Sequence, residues 1–123
     1  MRMAAWWLGL ALSLVFVASC GDDSTPSSPT MPTANAVPVS IVSGSISLTT
    51  TAYNPNPVTV QRGGIVTWTN NDSIPHTSTS DAAGWNSGTL APGASFSMTF
   101  QTAGTFPYHC TIHPNMVGTV NVQ

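Results

Sequence analysis

The sequence predicts an all-β domain, an antiparallel β-sandwich or barrel, on three observations. From Val37 onward apolar residues recur at every second position in short runs, and no stretch shows helical spacing. Clusters of Gly, Pro, Asn and Asp separate these runs. The alternate positions are largely Ser and Thr, 24 of them between Val37 and Gln123, so each strand has one face to bury and one uncharged polar face to leave in water.

In chain order, Val37, Val39 and Ile41 share one parity, and Ile46 with Leu48 repeats it. The turn Asn54-Pro55-Asn56-Pro57 leads into Val58 and Val60, which flank Thr59. Arg62-Gly63-Gly64 precedes Val66 and Trp68, which alternate with Ile65, Thr67 and Thr69, and Asn70-Asn71-Asp72 closes that run. Ala91-Pro92-Gly93 opens the strand of Phe96, Met98 and Phe100. Ala103-Gly104 opens that of Phe106, Tyr108 and Cys110, and Val120 with Val122 forms the last. A chain of 123 residues holds one such domain, with a core small enough for a bound metal to add stability.

Two segments precede the domain, which spans residues 37–123. After Arg2, the apolar stretch Ala4–Ala18 is shorter than the roughly 20 residues of a membrane span. It reads as the core of an export signal covering residues 1–19. It runs into Val17-Ala18-Ser19-Cys20, which resembles a bacterial lipobox. That resemblance implies that Cys20 becomes the lipid-modified first residue of an exported protein, periplasmic or on the cell surface, held to a bacterial membrane by the lipid alone. Nine of the sixteen residues Gly21–Ala36 are Ser, Thr or Pro, the composition of a linker that cannot bury enough apolar surface to order itself. Fully extended it would reach about 50 Å.

Charged residues make up 5% of the chain against about 25% in an average domain. Arg2 and Arg62 are its only Lys or Arg side chains, which excludes nucleic-acid binding through a basic patch. There is no Glu, and of the four Asp residues only Asp72 and Asp81 fall in the domain, which argues against catalysis by paired carboxylates.

The chemistry gathers in Cys110-Thr111-Ile112-His113-Pro114-Asn115-Met116, where a thiol, an imidazole and a thioether follow one another at intervals of three. A further imidazole, His76, lies in the turn-rich stretch between Asn70 and Asp81. If Cys20 carries lipid, Cys110 is a lone thiol outside the cytoplasm, and metal binding is a leading explanation for it. Two His, one Cys and a weak axial Met make the pattern of a blue-copper site. Zinc is the competing metal, but it wants four Cys, His or carboxylate ligands, and only His109 could complete the set. Strand parity speaks against that: Cys110 shares the inward face of Phe106 and Tyr108, so His109 points the other way.

These residues resemble the cupredoxins of the plastocyanin, pseudoazurin and amicyanin group over essentially all of Tyr53–Gln123. The likeness is carried by Asn56–Val60, Gly64–Asp72, Pro75-His76-Thr77, Ser87-Gly88, Pro92-Gly93, Phe96–Phe100 and Gly104–Met116. The three-residue steps from Cys to His to Met are closest to amicyanin. The resemblance implies a Greek-key sandwich with one type 1 copper held by His76, Cys110, His113 and Met116. Two departures stand out. Several relatives carry Asn after the first His; here Thr77 stands there, and its backbone N–H is expected to donate to the Cys110 sulfur. His109 replaces the Tyr that precedes the Cys in plastocyanins, so a partner surface built on that Tyr does not carry over.

Three strong ligands and a weak one leave no open position for substrate, so the expected function is outer-sphere electron transfer and not catalysis. His76 should be enclosed by the sandwich and His113 should lie at the surface. Ile74, Pro75, Pro114, Asn115 and Met116 would form an uncharged rim around His113, where a redox partner protein docks with little long-range steering. The chain is expected to be a monomer. The alternative is a copper-binding lipoprotein that stores, delivers or senses the metal.

Overall fold

The computed structural model describes residues 36–123. The signal-peptide and lipid-anchor expectations, and nearly all of the linker, lie outside these residues. Among the described residues there are eight strands and no α-helix: β1 (Ala36–Ile41), β2 (Tyr53–Asn54), β3 (Val58–Val60), β4 (Gly64–Asn70), β5 (Thr79–Ser80), β6 (Ser95–Phe100), β7 (Gly104–His109) and β8 (Val117–Val122). They form two four-stranded sheets, ordered β2-β1-β4-β6 and β3-β8-β7-β5.

The alternation places the strands as expected. Val39 and Ile41 of β1, Val66 and Trp68 of β4, and Phe100 of β6 are buried in one sheet. Val58, Val60, Tyr108, Val120 and Val122 are buried in the other. Phe96 and Met98 are only half-buried, because β6 is an edge strand of its sheet. Trp68 is the centre of an aromatic cluster: it stacks on Trp85 at 5.7 Å and meets the ring of Tyr108 edge-on at 5.4 Å. Tyr108 fits because residue 118, opposite it on β8, is glycine; a Cβ there would lie 2.3 Å from the tyrosine ring.

Three expectations need correction. The sheets are mixed, not purely antiparallel: β1 runs parallel to β4, with Val39 opposite Trp68, and β3 runs parallel to β8, with Val58 opposite Val120. Side-chain alternation is the same for either direction, and only the connections decide it. Ile46 and Leu48 do not continue a strand. Gly44, at φ 75°, turns the chain into a single turn of 3-10 helix, Ser45–Ser47, which leaves Ile46 50% exposed and buries Ser45. Ala36 is not linker but the first residue of β1, paired with Ile65. The structure also adds β2 and β5, two-residue strands too short to show a period of their own.

Candidate metal centre

Strand β7 delivers the first site residue. Its alternation carries Tyr108 and Cys110 inward, and Cys110 is a fully buried free thiol. The chain then folds back on itself. The Cys110 N–H donates to the Met116 carbonyl at 3.0 Å, and the Met116 N–H donates to the His113 carbonyl at 2.9 Å. This closes a tight loop with Met116 fully buried and His113 part-exposed.

His76 arrives from the other side, on the segment after β4. Its backbone exchanges two hydrogen bonds with Leu90, at 3.1 and 2.8 Å. The buried Asn70 side chain donates to the Ile74 and Leu90 carbonyls at 2.8 and 2.9 Å, so the last residue of β4 clamps the His76 segment against its neighbour. His76 is fully buried.

The two segments bring three donor atoms to one point. His76 Nδ1 and His113 Nδ1 are 3.1 Å apart, and the Cys110 sulfur lies 3.8 Å from the first and 4.0 Å from the second. A buried thiol facing two imidazole nitrogens suits a soft or borderline cation, and no carboxylate oxygen belongs to the group. Cys110, His76 and His113 thus meet as expected, with Met116 packed in the same loop. His109 does not join them. It turns outward, and its Nδ1 pairs with Asp81 Oδ1. Among the described residues no fourth His, Cys or carboxylate completes a zinc set.

Thr77 links the two segments. Its N–H donates to the Cys110 sulfur at 3.3 Å, as expected from the sequence. Its hydroxyl oxygen also accepts the Thr111 N–H at 2.9 Å, so this side chain makes the cross-link between the two segments. The Thr77 carbonyl accepts a 2.6 Å hydrogen bond from the Tyr53 hydroxyl. Burial, together with the nearby Cys110 and Tyr108, pushes the Tyr53 phenol far above its usual range and keeps it a neutral donor.

Sequence reasoning missed the residues behind His76. Asp72 Oδ2 lies 2.9 Å from His76 Nε2, and Ser45 Oγ lies 3.0 Å from the same nitrogen. The hydrogen bond from His76, and after it those from the Gly44 and Ser73 N–H groups and the Ser45 hydroxyl, hold the Asp72 carboxyl well below the usual carboxylate range, against the opposing pull of burial. One signal was legible: an Asp four residues before a candidate ligand His, in a chain almost without charge. Nothing in the sequence pointed to Ser45.

Residues 40–123 match the family of copper binding proteins described as plastocyanin/azurin. The chain belongs to the plastocyanin/azurin family of copper-binding proteins. Plastocyanin from Scenedesmus fuscus is 39% identical over 84 residues, which cover 58% of this chain and 86% of that protein. Amicyanin from Paracoccus denitrificans is 35% identical over 81 residues, 58% of each chain. Among solved structures, a purple cupredoxin from Nitrosopumilus maritimus superposes with a TM-score of 0.65 at 35% identity, covering 71% of this chain and 99% of that one. The Cu(I) form of a single-residue amicyanin mutant gives 0.61 at 30% identity, covering 72% and 82%. Copper is the cofactor of this family, and the donor set formed by His76, Cys110 and His113 fits it.

Proposed function

We propose that His76, Cys110, His113 and Met116 would hold one type 1 copper ion, and that this plastocyanin/azurin-family protein carries single electrons between redox partners outside the cytoplasm. The observation that carries this reading is the triangle of two Nδ1 atoms and one sulfur, built on two braced segments that Thr77 ties together. Copper bound there would supply a one-electron couple. The protein supplies a scaffold that holds its donors in place: the Thr77 N–H fixes the sulfur, the Leu90 pairing fixes His76, and the closed loop fixes His113. Donors held in this way would keep the rearrangement between Cu(II) and Cu(I) small.

His113 is the only one of the three donor residues that reaches the surface, which makes it the route for electrons. Ile112, beside it, is 44% exposed, and the domain's only Arg, Lys, Asp or Glu side chains are Arg62, Asp72 and Asp81. A partner would therefore dock on a nearly uncharged rim, in a brief encounter with little electrostatic steering. The full burial of His76 and Cys110 favours retention of the metal over its delivery to another protein. The lipobox-like Val17–Cys20 supports export and a lipid anchor on Cys20, with the Ser/Thr/Pro segment as a tether. Such an anchor predicts that Cys20→Ser releases a soluble protein that still binds copper.

The test is to add Cu(II) to the protein and record absorption and EPR spectra. An intense blue thiolate-to-copper band is expected; it should vanish in Cys110→Ser and persist in His109→Ala. Loss of the band in a folded His109→Ala protein would show that the wrong imidazole has been assigned.

A further inference from the structure

Asp72 is an anomaly in this chain. It is a carboxylate only 6% exposed, in a domain whose one Arg or Lys side chain, Arg62, is not among its partners. Every group that its side chain meets is a donor. Oδ1 accepts the N–H groups of Gly44 at 3.1 Å and Ser73 at 2.8 Å. Oδ2 accepts the Ser45 N–H at 3.2 Å and the Ser45 hydroxyl at 3.0 Å, and lies 2.9 Å from His76 Nε2. Its own N–H donates to the Asn70 side chain at 2.9 Å. A buried charge is costly unless hydrogen-bond donors satisfy it, and these donors surround Asp72. The remaining partner is the His76 ring, whose far nitrogen faces Cys110 and His113.

The geometry also favours one tautomer. If Nε2 carried no proton, its lone pair would face the lone pairs of a carboxylate oxygen at 2.9 Å. With the proton on Nε2, it donates to Asp72, and Nδ1 is left as a free lone pair at the donor triangle. Building this support requires the turn after β1. Gly44, in the left-handed region at φ 75°, directs its N–H at Asp72, and Ser45 turns inward, 31 residues away from His76 in sequence.

We propose that Asp72, held in place by Gly44 and Ser45, is a positioning residue for the copper site: it fixes His76 as the Nε2–H tautomer with Nδ1 free for the metal, and its fixed negative charge favours Cu(II) over Cu(I). The inference rests on His76 being a copper ligand. The charge acts through the imidazole, which it makes a stronger donor, and the higher-charged ion gains more from it. The reduction potential of the wild-type protein is therefore held lower than the same site would have with a neutral residue at position 72.

Two measurements test this. Nitrogen–proton correlation NMR of the metal-free wild-type chain should show His76 with its proton on Nε2 and that proton protected from solvent exchange. A proton on Nδ1 would overturn the proposal, and this reading needs neither copper nor a variant that folds. Second, Asp72→Asn, loaded with copper, should bind Cu(II) about 10–100-fold more weakly. Cu(I) affinity should change far less, and the potential should rise by about 59 mV for each tenfold change in the affinity ratio. A folded Asp72→Asn protein with the wild-type potential and affinity ratio would refute the role of Asp72 while leaving the blue-copper site standing. A wild-type protein that shows no blue band with Cu(II) would remove the ligand assignment, and this inference with it.

Discussion

Replacing Tyr53 by Phe takes a single oxygen out of the core. The ring remains fully buried, with its edge-on contact to Tyr108 at a centroid distance of 4.8 Å. What disappears is the 2.6 Å hydrogen bond to the Thr77 carbonyl. Thr77 is itself buried, so water does not replace the lost donor. An unsatisfied buried carbonyl costs about 1–3 kcal/mol. For a domain of this size each kcal/mol moves Tm by about 4–8 °C, so the metal-free variant should melt about 4–24 °C below the wild type. The same substitution reaches the metal centre. Thr77 is held on one side by Tyr53, and on the other its N–H donates to the Cys110 sulfur. Loosening this residue weakens the hydrogen bond to sulfur, makes the thiolate a stronger donor, and favours Cu(II). The reduction potential should therefore fall. Circular-dichroism melting of the metal-free protein and voltammetry of the copper-loaded protein read the two effects separately. An unchanged Tm would show that the Thr77 carbonyl finds another partner, and a lower Tm with an unchanged potential would show that Tyr53 supports the fold without controlling the sulfur.

Gly118→Ala should destabilise the domain by about 1–3 kcal/mol, because its Cβ would lie 2.3 Å from the ring of the fully buried Tyr108; denaturant unfolding checks this, and a neutral result would mean that β7 and β8 can separate without cost. Met116→Leu should keep the blue band and raise the potential, while Met116→Gln, with its harder amide oxygen, should lower it; no change in either would show that Met116 does not face the metal. The depressed Asp72 carboxyl adds stability that is fully present above the unfolded value near 4 and is lost as pH falls toward its lower folded value, so metal-free wild type should lose stability from about pH 4 downward and Asp72→Asn should show a flatter acid limb. The raised phenols of Tyr53 and Tyr108 act at the other end, adding stability that is lost above about pH 10, and Tyr53→Phe should weaken that alkaline dependence.

How much of this protein can be read from its sequence depends on the range of the signal. Alternation is local, so Val39, Val66, Trp68, Tyr108 and Val120 could be assigned to the core from their immediate neighbours, and all are buried. The same parity separated Cys110 from His109, and the structure sends the first into the donor triangle and the second outward to Asp81. The candidate donor residues were legible because a thiol, two imidazoles and a thioether are rare chemistry in a chain of Ser, Thr and Val. Strand direction was not: Val39 faces the interior whether it lies parallel or antiparallel to Trp68, and the pairing of β1 with β4 depends on a connection that carries β2 and β3 between them. Nor did alternation survive at Ile46, where one left-handed glycine turns the chain and reverses which side chains face inward. The support of His76 lay furthest from view, because Ser45 and Asp72 meet across 27 residues and a hydrogen bond at that separation leaves no pattern in either segment. The sequence by itself determined the strands, their inner faces and the atoms available to a metal. The tertiary structure alone decided strand direction, the tautomer favoured at His76 and the buried charge behind it, because each of these depends on contacts between segments that periodicity does not connect.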